Sequence, residues 1–305
     1  MARMVVGRLG VVPEEIGWDA GAGVGGMGFG LKKGRSGSLS RHPTACPRFS
    51  GTLGPMDSTA TSDALLAAAR ALNAELAPMR FSPPVAVVLN PLDYAWAGYE
   101  AYVRRFATGP RRVVFLGMNP GPFGMMQTGV PFGEVASVRD WMGISATVRA
   151  PDQQHPKRPV QGFACSRSEV SGRRLWGWIG QRWGSPEAFF AQGFVLNWCP
   201  LAFLESGGRN FTPDKLPASE LRALEQACDT HLLQAVRALE AHWAIGIGGF
   251  AERRLQRALQ TLPAVRIGSI LHPSPASPAA NRGWTAQVEA QLDALGVWPA
   301  AWAPK

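Results

Sequence analysis

Lysine is nearly missing from this chain, supplying five of 31 basic residues against 22 acidic ones at a formal charge of +9. Arginine therefore carries the positive charge. Its planar fork suits phosphate geometry and stays charged at any working pH, and a basic balance favours polyanions. A GC-rich coding sequence would inflate arginine equally, so charge alone leaves nucleic-acid binding open. Cysteine is scarce too. Cys46, Cys165, Cys199 and Cys228 stand far apart with no Cys-x-x-Cys. That spacing argues against a zinc ribbon or iron–sulfur site, which draws two ligands from one short turn; buried thiols in a reducing compartment account for them. No metal is expected. No apolar run reaches the roughly 18 residues of a membrane helix. Pro, Glu and Gly interrupt residues 11–21, so no secretory leader is expected either.

Hydrophobic residues make up 46% of the 305, enough for a sizeable core. Residues 1–57 differ from the rest: Gly- and Ser-rich, basic and almost without hydrophobic periodicity. They read as a disordered extension or as translation from a misplaced start, with an ordered domain over 58–305. Leu65, Leu66, Ala69, Leu72 and Leu76 mark a helix face that Pro78 ends. Residues 85–89 read as extended, and Asn90-Pro91 opens a short helical segment. Residues 112–116, 193–196, 243–247 and 265–271 read as buried strands, β-branched or apolar and bounded by Gly or Pro. Helical spacing recurs around Leu175–Trp183, over 217–241, 250–262 and 284–295. This alternation predicts an α/β fold with a parallel sheet covered on both faces. Residues 121–167 form a long Gly- and Pro-rich connection of the kind that carries function.

Four motifs lie at or beyond the downstream ends of those strands, where open parallel sheets bind ligands. Gly117-Met118-Asn119-Pro120-Gly121 offers an amide on a stiff turn. Val130-Pro131-Phe132-Gly133 offers a ring able to stack on a base. Asn197-Trp198-Cys199-Pro200 offers a second amide, which facing uracil would accept from N3–H and donate to O4, a pattern cytosine reverses. His272-Pro273-Ser274-Pro275 offers an imidazole able to donate to a developing oxyanion. Singly, each motif also reads as a turn or ordinary core packing. His155, His231 and His242 read as structural. Gly246-Ile247-Gly248-Gly249-Phe250-Ala251 fits a relaxed dinucleotide loop. It lacks the acidic residue about twenty positions on, so a tight strand-to-helix turn is the better reading and an oxidoreductase is disfavoured.

Taken together, these residues resemble the single-strand-selective monofunctional uracil-DNA glycosylases of the uracil-DNA glycosylase superfamily. The likeness runs from about residue 65 to 284 and includes residues 90–96, the stretch 117–141 with Gln127-Thr128-Gly129 and Val138-Arg139-Asp140-Trp141, and His272–Pro275 with Asn281-Arg282-Gly283-Trp284. The resemblance implies a three-layer α/β/α sandwich with a central four-stranded parallel sheet. It implies that Asn119 orients the attacking water and His272 stabilises charge on uracil O2. Asn197 would read the pyrimidine edge, Phe132 would stack on the flipped base, and Met118 and Gly121 would shape the pocket near C5, where oxidised uracils such as 5-hydroxymethyluracil are admitted. Pro273, Ser274, Pro275 and Arg282 would contact DNA. The family often carries Arg after His-Pro-Ser-Pro; here Ala276 stands instead. No lysine lies in these motifs, so no Schiff base is expected and base loss should leave an intact abasic strand. The expected partner is single- or double-stranded DNA containing uracil or a modified uracil, bound by a monomer without cofactor. A cytoplasmic location is expected, on the nucleoid in a bacterium or in the nucleus of a eukaryote. Two other readings remain open: a superfamily glycosylase with another main lesion, and a non-catalytic damage-binding protein.

Overall fold

The computed structural model describes residues 59–298; the expectation for residues 1–57, and Cys46, lie outside them. The elements run α1 (Ala60–Leu76), β1 (Val85–Leu89), α2 (Pro91–Tyr94), α3 (Trp96–Phe106), β2 (Val113–Gly117), α4 (Met125–Thr128), α5 (Val170–Trp183), α6 (Pro186–Phe190), β3 (Gly193–Asn197), β4 (Ala202–Glu205), β5 (Asn210–Phe211), α7 (Ala218–Ala238), β6 (Trp243–Ile247), α8 (Gly249–Ala258), β7 (Arg266–Ile270) and α9 (Trp284–Leu295).

Four strands form a parallel sheet in the order β3-β2-β6-β7. β2 and β6 are central and buried at every position, which is why they read as unbroken apolar runs rather than alternations. The crossover from β2 to β3 moves one way across the sheet, and those from β3 to β6 and β6 to β7 move the other way. Right-handed crossovers then put α5 and α6 on one face and α7 and α8 on the other. The contacts agree: α7 packs on α8 and α1, while α5 packs on α6 and α9. Strand β3 is an edge, and the Tyr102 hydroxyl of α3 covers it, donating to the Val195 carbonyl at 3.0 Å and accepting its N–H at 3.3 Å. That contact caps the edge at its middle residue, where an added strand would otherwise bond.

Three elements differ from the sequence reading. The extended segment at 85–89 does not join the main sheet. It pairs antiparallel with β4, and β4 with β5, in a small second sheet. The helix expected over 250–262 stops at Ala258 and continues as a turn through Thr261; Pro263 keeps it from resuming, since it disfavours helical geometry at Leu262. The helix expected over 217–241 spans Ala218–Ala238, with Pro217 at its N-cap. The long connection is pinned by buried polar groups rather than by long elements. The Gln127 amide donates to the Pro122 and Pro159 carbonyls and accepts from Gln161 and Gly162, satisfying all its bonds within a buried loop.

Candidate active site

Pairing of β2 with β3 aligns Gly117 with Asn197 and continues past the strands, with Trp198 N–H donating to the Gly117 carbonyl and Cys199 N–H to the Met118 carbonyl, each at 2.9 Å. Two of the four motifs are thereby zipped together. His272 follows β7 by two residues, and its loop is braced from two helices: Trp284 of α9 donates to the Leu271 carbonyl at 2.7 Å, and Arg174 of α5 donates to the Pro273 carbonyl at 3.1 Å and to Asn281 at 2.8 Å. These loops enclose a cavity of about 430 Å³, lined by Met118, Asn119, Gly121, Phe132, Asn197, His272, Ser274 and Pro275 among others. The size suits a small ligand.

The side chains enter with fixed orientations. The Asn119 amide nitrogen donates to the Leu201 carbonyl at 3.2 Å. A carbonyl can only accept, so Oδ1 is the end left available. Asn197 presents a buried Oδ1 with no partner, while its Nδ2 rests on the Met125 sulfur at 3.3 Å. An unpartnered buried acceptor beside a weakly bonded donor is unusual in a folded protein and suits a ligand offering a donor next to an acceptor. Phe132 takes a left-handed backbone, φ 54°, held by Thr128 bonding Gly133 and Val130 on either side. The ring centroid lies 6.2 Å from that of His272. Gly117 makes this possible, since a Cβ there would overlap both the Phe132 ring and the Asn197 amide.

His272 accepts from the Ser274 N–H at Nδ1, at 3.0 Å. Nδ1 must therefore be bare, and the ring's single proton sits on Nε2. Burial pushes the imidazole down to about 4, so the ring is neutral and a hydrogen-bond donor across the physiological range.

Eight of the ten residues expected at the site line the cavity, and two do not. Pro273 is buried and outside the lining, its carbonyl engaged by Arg174. Arg282 is exposed on the short turn Ala280–Arg282, away from the lining. Glu134 and Asp140, the carboxylates of the long motif, are also elsewhere: Glu134 bonds Ser137 and Ser168, and Asp140 pairs with Arg139 at the surface. The lining holds Glu169, Ser171, Asn210 and Thr212 as well, none of which the sequence reading singled out. Glu169 stands just before α5, where a cap acid is unremarkable in sequence. Asn210, whose Oδ1 is likewise buried without a partner, reaches the cavity through the unexpected second sheet. Burial raises the Glu169 carboxyl above the usual range; the Phe123 N–H it accepts at 3.2 Å opposes this, and the Glu134 charge adds to it. Of the other histidines, His155 is satisfied, bonding Ser206 and Lys157, and His242 is exposed. His231 is buried with Nε2 unpartnered, not the satisfied group its sequence suggests. Cys165, Cys199 and Cys228 are buried free thiols, and Gly248, at φ 91°, makes the tight strand-to-helix turn before α8.

The family model of the uracil DNA glycosylase superfamily matches residues 105–294. The single-strand selective monofunctional uracil DNA glycosylase of Bos taurus is 51% identical over 229 residues, covering 75% of this chain and 84% of the bovine one. The Rattus norvegicus protein of the same name is 52% identical, covering 75% and 82%. Among solved structures, wild-type Pedobacter heparinus SMUG2 superposes with a TM-score of 0.57 at 18% identity, over 77% of this chain and 96% of that one, a likeness of fold. With the family model spanning the sheet and its motif loops, and about half of the 229 aligned residues identical in relatives covered over more than four-fifths of their length, this chain belongs to the single-strand-selective monofunctional uracil-DNA glycosylases of the uracil-DNA glycosylase superfamily.

Proposed function

We propose that this DNA glycosylase takes an everted uracil into the cavity and hydrolyses its N-glycosidic bond, releasing free base and leaving an intact abasic strand. The observation that carries the reading is the neutral His272, with Nε2–H as its only donor, sharing a cavity with two oriented amides and a stacking ring. In this pose the base lies on Phe132. Asn197 Oδ1 accepts from N3–H, and Nδ2 exchanges the Met125 sulfur for uracil O4. Cytosine presents an acceptor and an amine there, and both contacts fail. His272 donates to O2 as the bond from N1 to C1′ breaks and the electron pair moves onto the ring. Asn119 Oδ1 accepts from a water and aims it at C1′; the water oxygen bonds to the cationic sugar and its proton is lost to solvent. An amide is no strong base, so the sugar develops oxocarbenium character before the water adds.

We also assign oxidised uracils such as 5-hydroxymethyluracil, in single- or double-stranded DNA, to the same cavity. Extruding an unpaired or mismatched base costs less than a paired one, which favours single strands and U·G sites. Ser274 and Pro275, on the rim, are the loop residues best placed to meet the DNA. The test is incubation with an end-labelled uracil oligonucleotide. The expected result is a full-length strand that breaks only after hot alkali, with no adduct trapped by borohydride. A trapped enzyme–DNA adduct would overturn the monofunctional mechanism. Parallel rates on uracil, 5-hydroxymethyluracil, thymine and hypoxanthine separate this assignment from a relative tuned to another lesion. Binding without base release would leave only a damage-binding role.

A further inference from the structure

Resting on the pose above, three edges of the pyrimidine have partners: O2 faces His272, N3 and O4 face Asn197, and N1 leads to the sugar. The remaining edge, C5 and C6, has no partner in that pose, and the cavity wall not yet used by it includes Gly121, Pro122, Gly124 and Glu169. Both glycines lie against that side chain. A Cβ on Gly121 would overlap the carboxylate, and one on Gly124 would come within 3.0 Å of the Glu169 Cγ. The turn gives up side chains at two positions where the carboxylate enters the wall.

The carboxylate is anchored and only half used. Oε2 accepts the Phe123 N–H at 3.2 Å. Among the described residues, no donor engages Oε1 and no Lys, Arg or His pairs with the group within salt-bridge distance. Its backbone is held as well, since the Glu169 carbonyl accepts from Arg173 N–H at 2.8 Å. A largely buried carboxylate with a spare acceptor and no cation is completed by a hydrogen-bond donor brought from outside.

We propose that Glu169 is a specificity-determining residue that reads the C5 substituent. It accepts from a hydroxyl there, gains nothing from a methyl group and repels a carboxylate. Single-turnover excision rates on single-stranded oligonucleotides carrying uracil, 5-hydroxymethyluracil, thymine or 5-carboxyuracil test this in the full-length chain. The unaltered protein should excise 5-hydroxymethyluracil at least roughly tenfold faster than thymine, as expected for one bond to a charged acceptor. In Glu169→Ala, the 5-hydroxymethyluracil-to-uracil rate ratio should fall at least roughly fivefold. In Glu169→Gln, near-isosteric and uncharged, the 5-carboxyuracil-to-uracil ratio should rise. Ratios within one protein cancel any loss of folded enzyme, and the thymine comparison needs no variant. Ratios that stay within about twofold of those of the unaltered protein in both variants, or equal rates on thymine and 5-hydroxymethyluracil without any variant, overturn the inference. If the unaltered protein releases no uracil, the pose itself fails instead.

Discussion

A backbone N–H two residues away decides which proton the His272 ring carries. Because Ser274 occupies Nδ1, only Nε2–H can face the cavity. Because burial lowers the pKa to about 4, that state persists well below the usual imidazole titration. The acid limb of kcat/KM for uracil excision is therefore expected near pH 4 rather than near 6.5, read from a pH–rate profile corrected for folded fraction. An acid limb at 6.5 would mean that the imidazole is hydrated and not held as described. His272→Ala and Asn119→Ala should each slow single-turnover excision at least roughly tenfold with unchanged circular dichroism, the low end for a lost catalytic group. Phe132→Ala should weaken base capture, seen as a smaller or slower base-extrusion signal in stopped-flow fluorescence.

Helix α5 joins three parts of the site. Glu169 precedes it, Arg174 clamps the His272 loop, and Trp176 donates to the Phe132 carbonyl at 3.2 Å. Gly172 lets this helix approach so closely that a Cβ would strike that same carbonyl. Gly172→Ala should cost about 1–3 kcal/mol in stability by overpacking and slow excision by displacing Phe132; denaturant melts and rates measured together check both. On the other face, Arg254 of α8 pairs with Glu225 and Asp229 of α7 and lies 5.0 Å from the centroid of Trp198, whose Nε1 donates to Asp229 at 2.8 Å. This network fixes the residue directly after Asn197. Asp229→Ala leaves the Trp198 donor unsatisfied and removes one of the two carboxylates from a buried guanidinium, so a loss of about 3 kcal/mol is expected in urea unfolding.

For the fold as one unit, two buried imidazoles contribute to the acid response. His231 and His272 are both lowered to about 4 by burial, so they bind protons more weakly folded than unfolded. Their contribution to stability is full above pH 6.5 and is lost as pH falls from there toward 4, where the unfolded chain takes up protons first. Thermal midpoints should drop across that window, and less steeply in His231→Leu. The apolar runs at 243–247, the stripe at 284–295 and the motifs at the strand ends were legible in the sequence. Parallel strands buried on both faces and helices buried on one leave their periods in the chain, and ligand loops follow the strands. Asn119, Phe132, Asn197 and His272 could be named for that reason. Strand order, the small sheet of β1, β4 and β5, the entry of Glu169 and Asn210 into the cavity, and the exclusion of Pro273 and Arg282 from its lining were decided only in three dimensions. Each depends on which distant segments pair and which groups lose water together, and local periodicity carries no record of either.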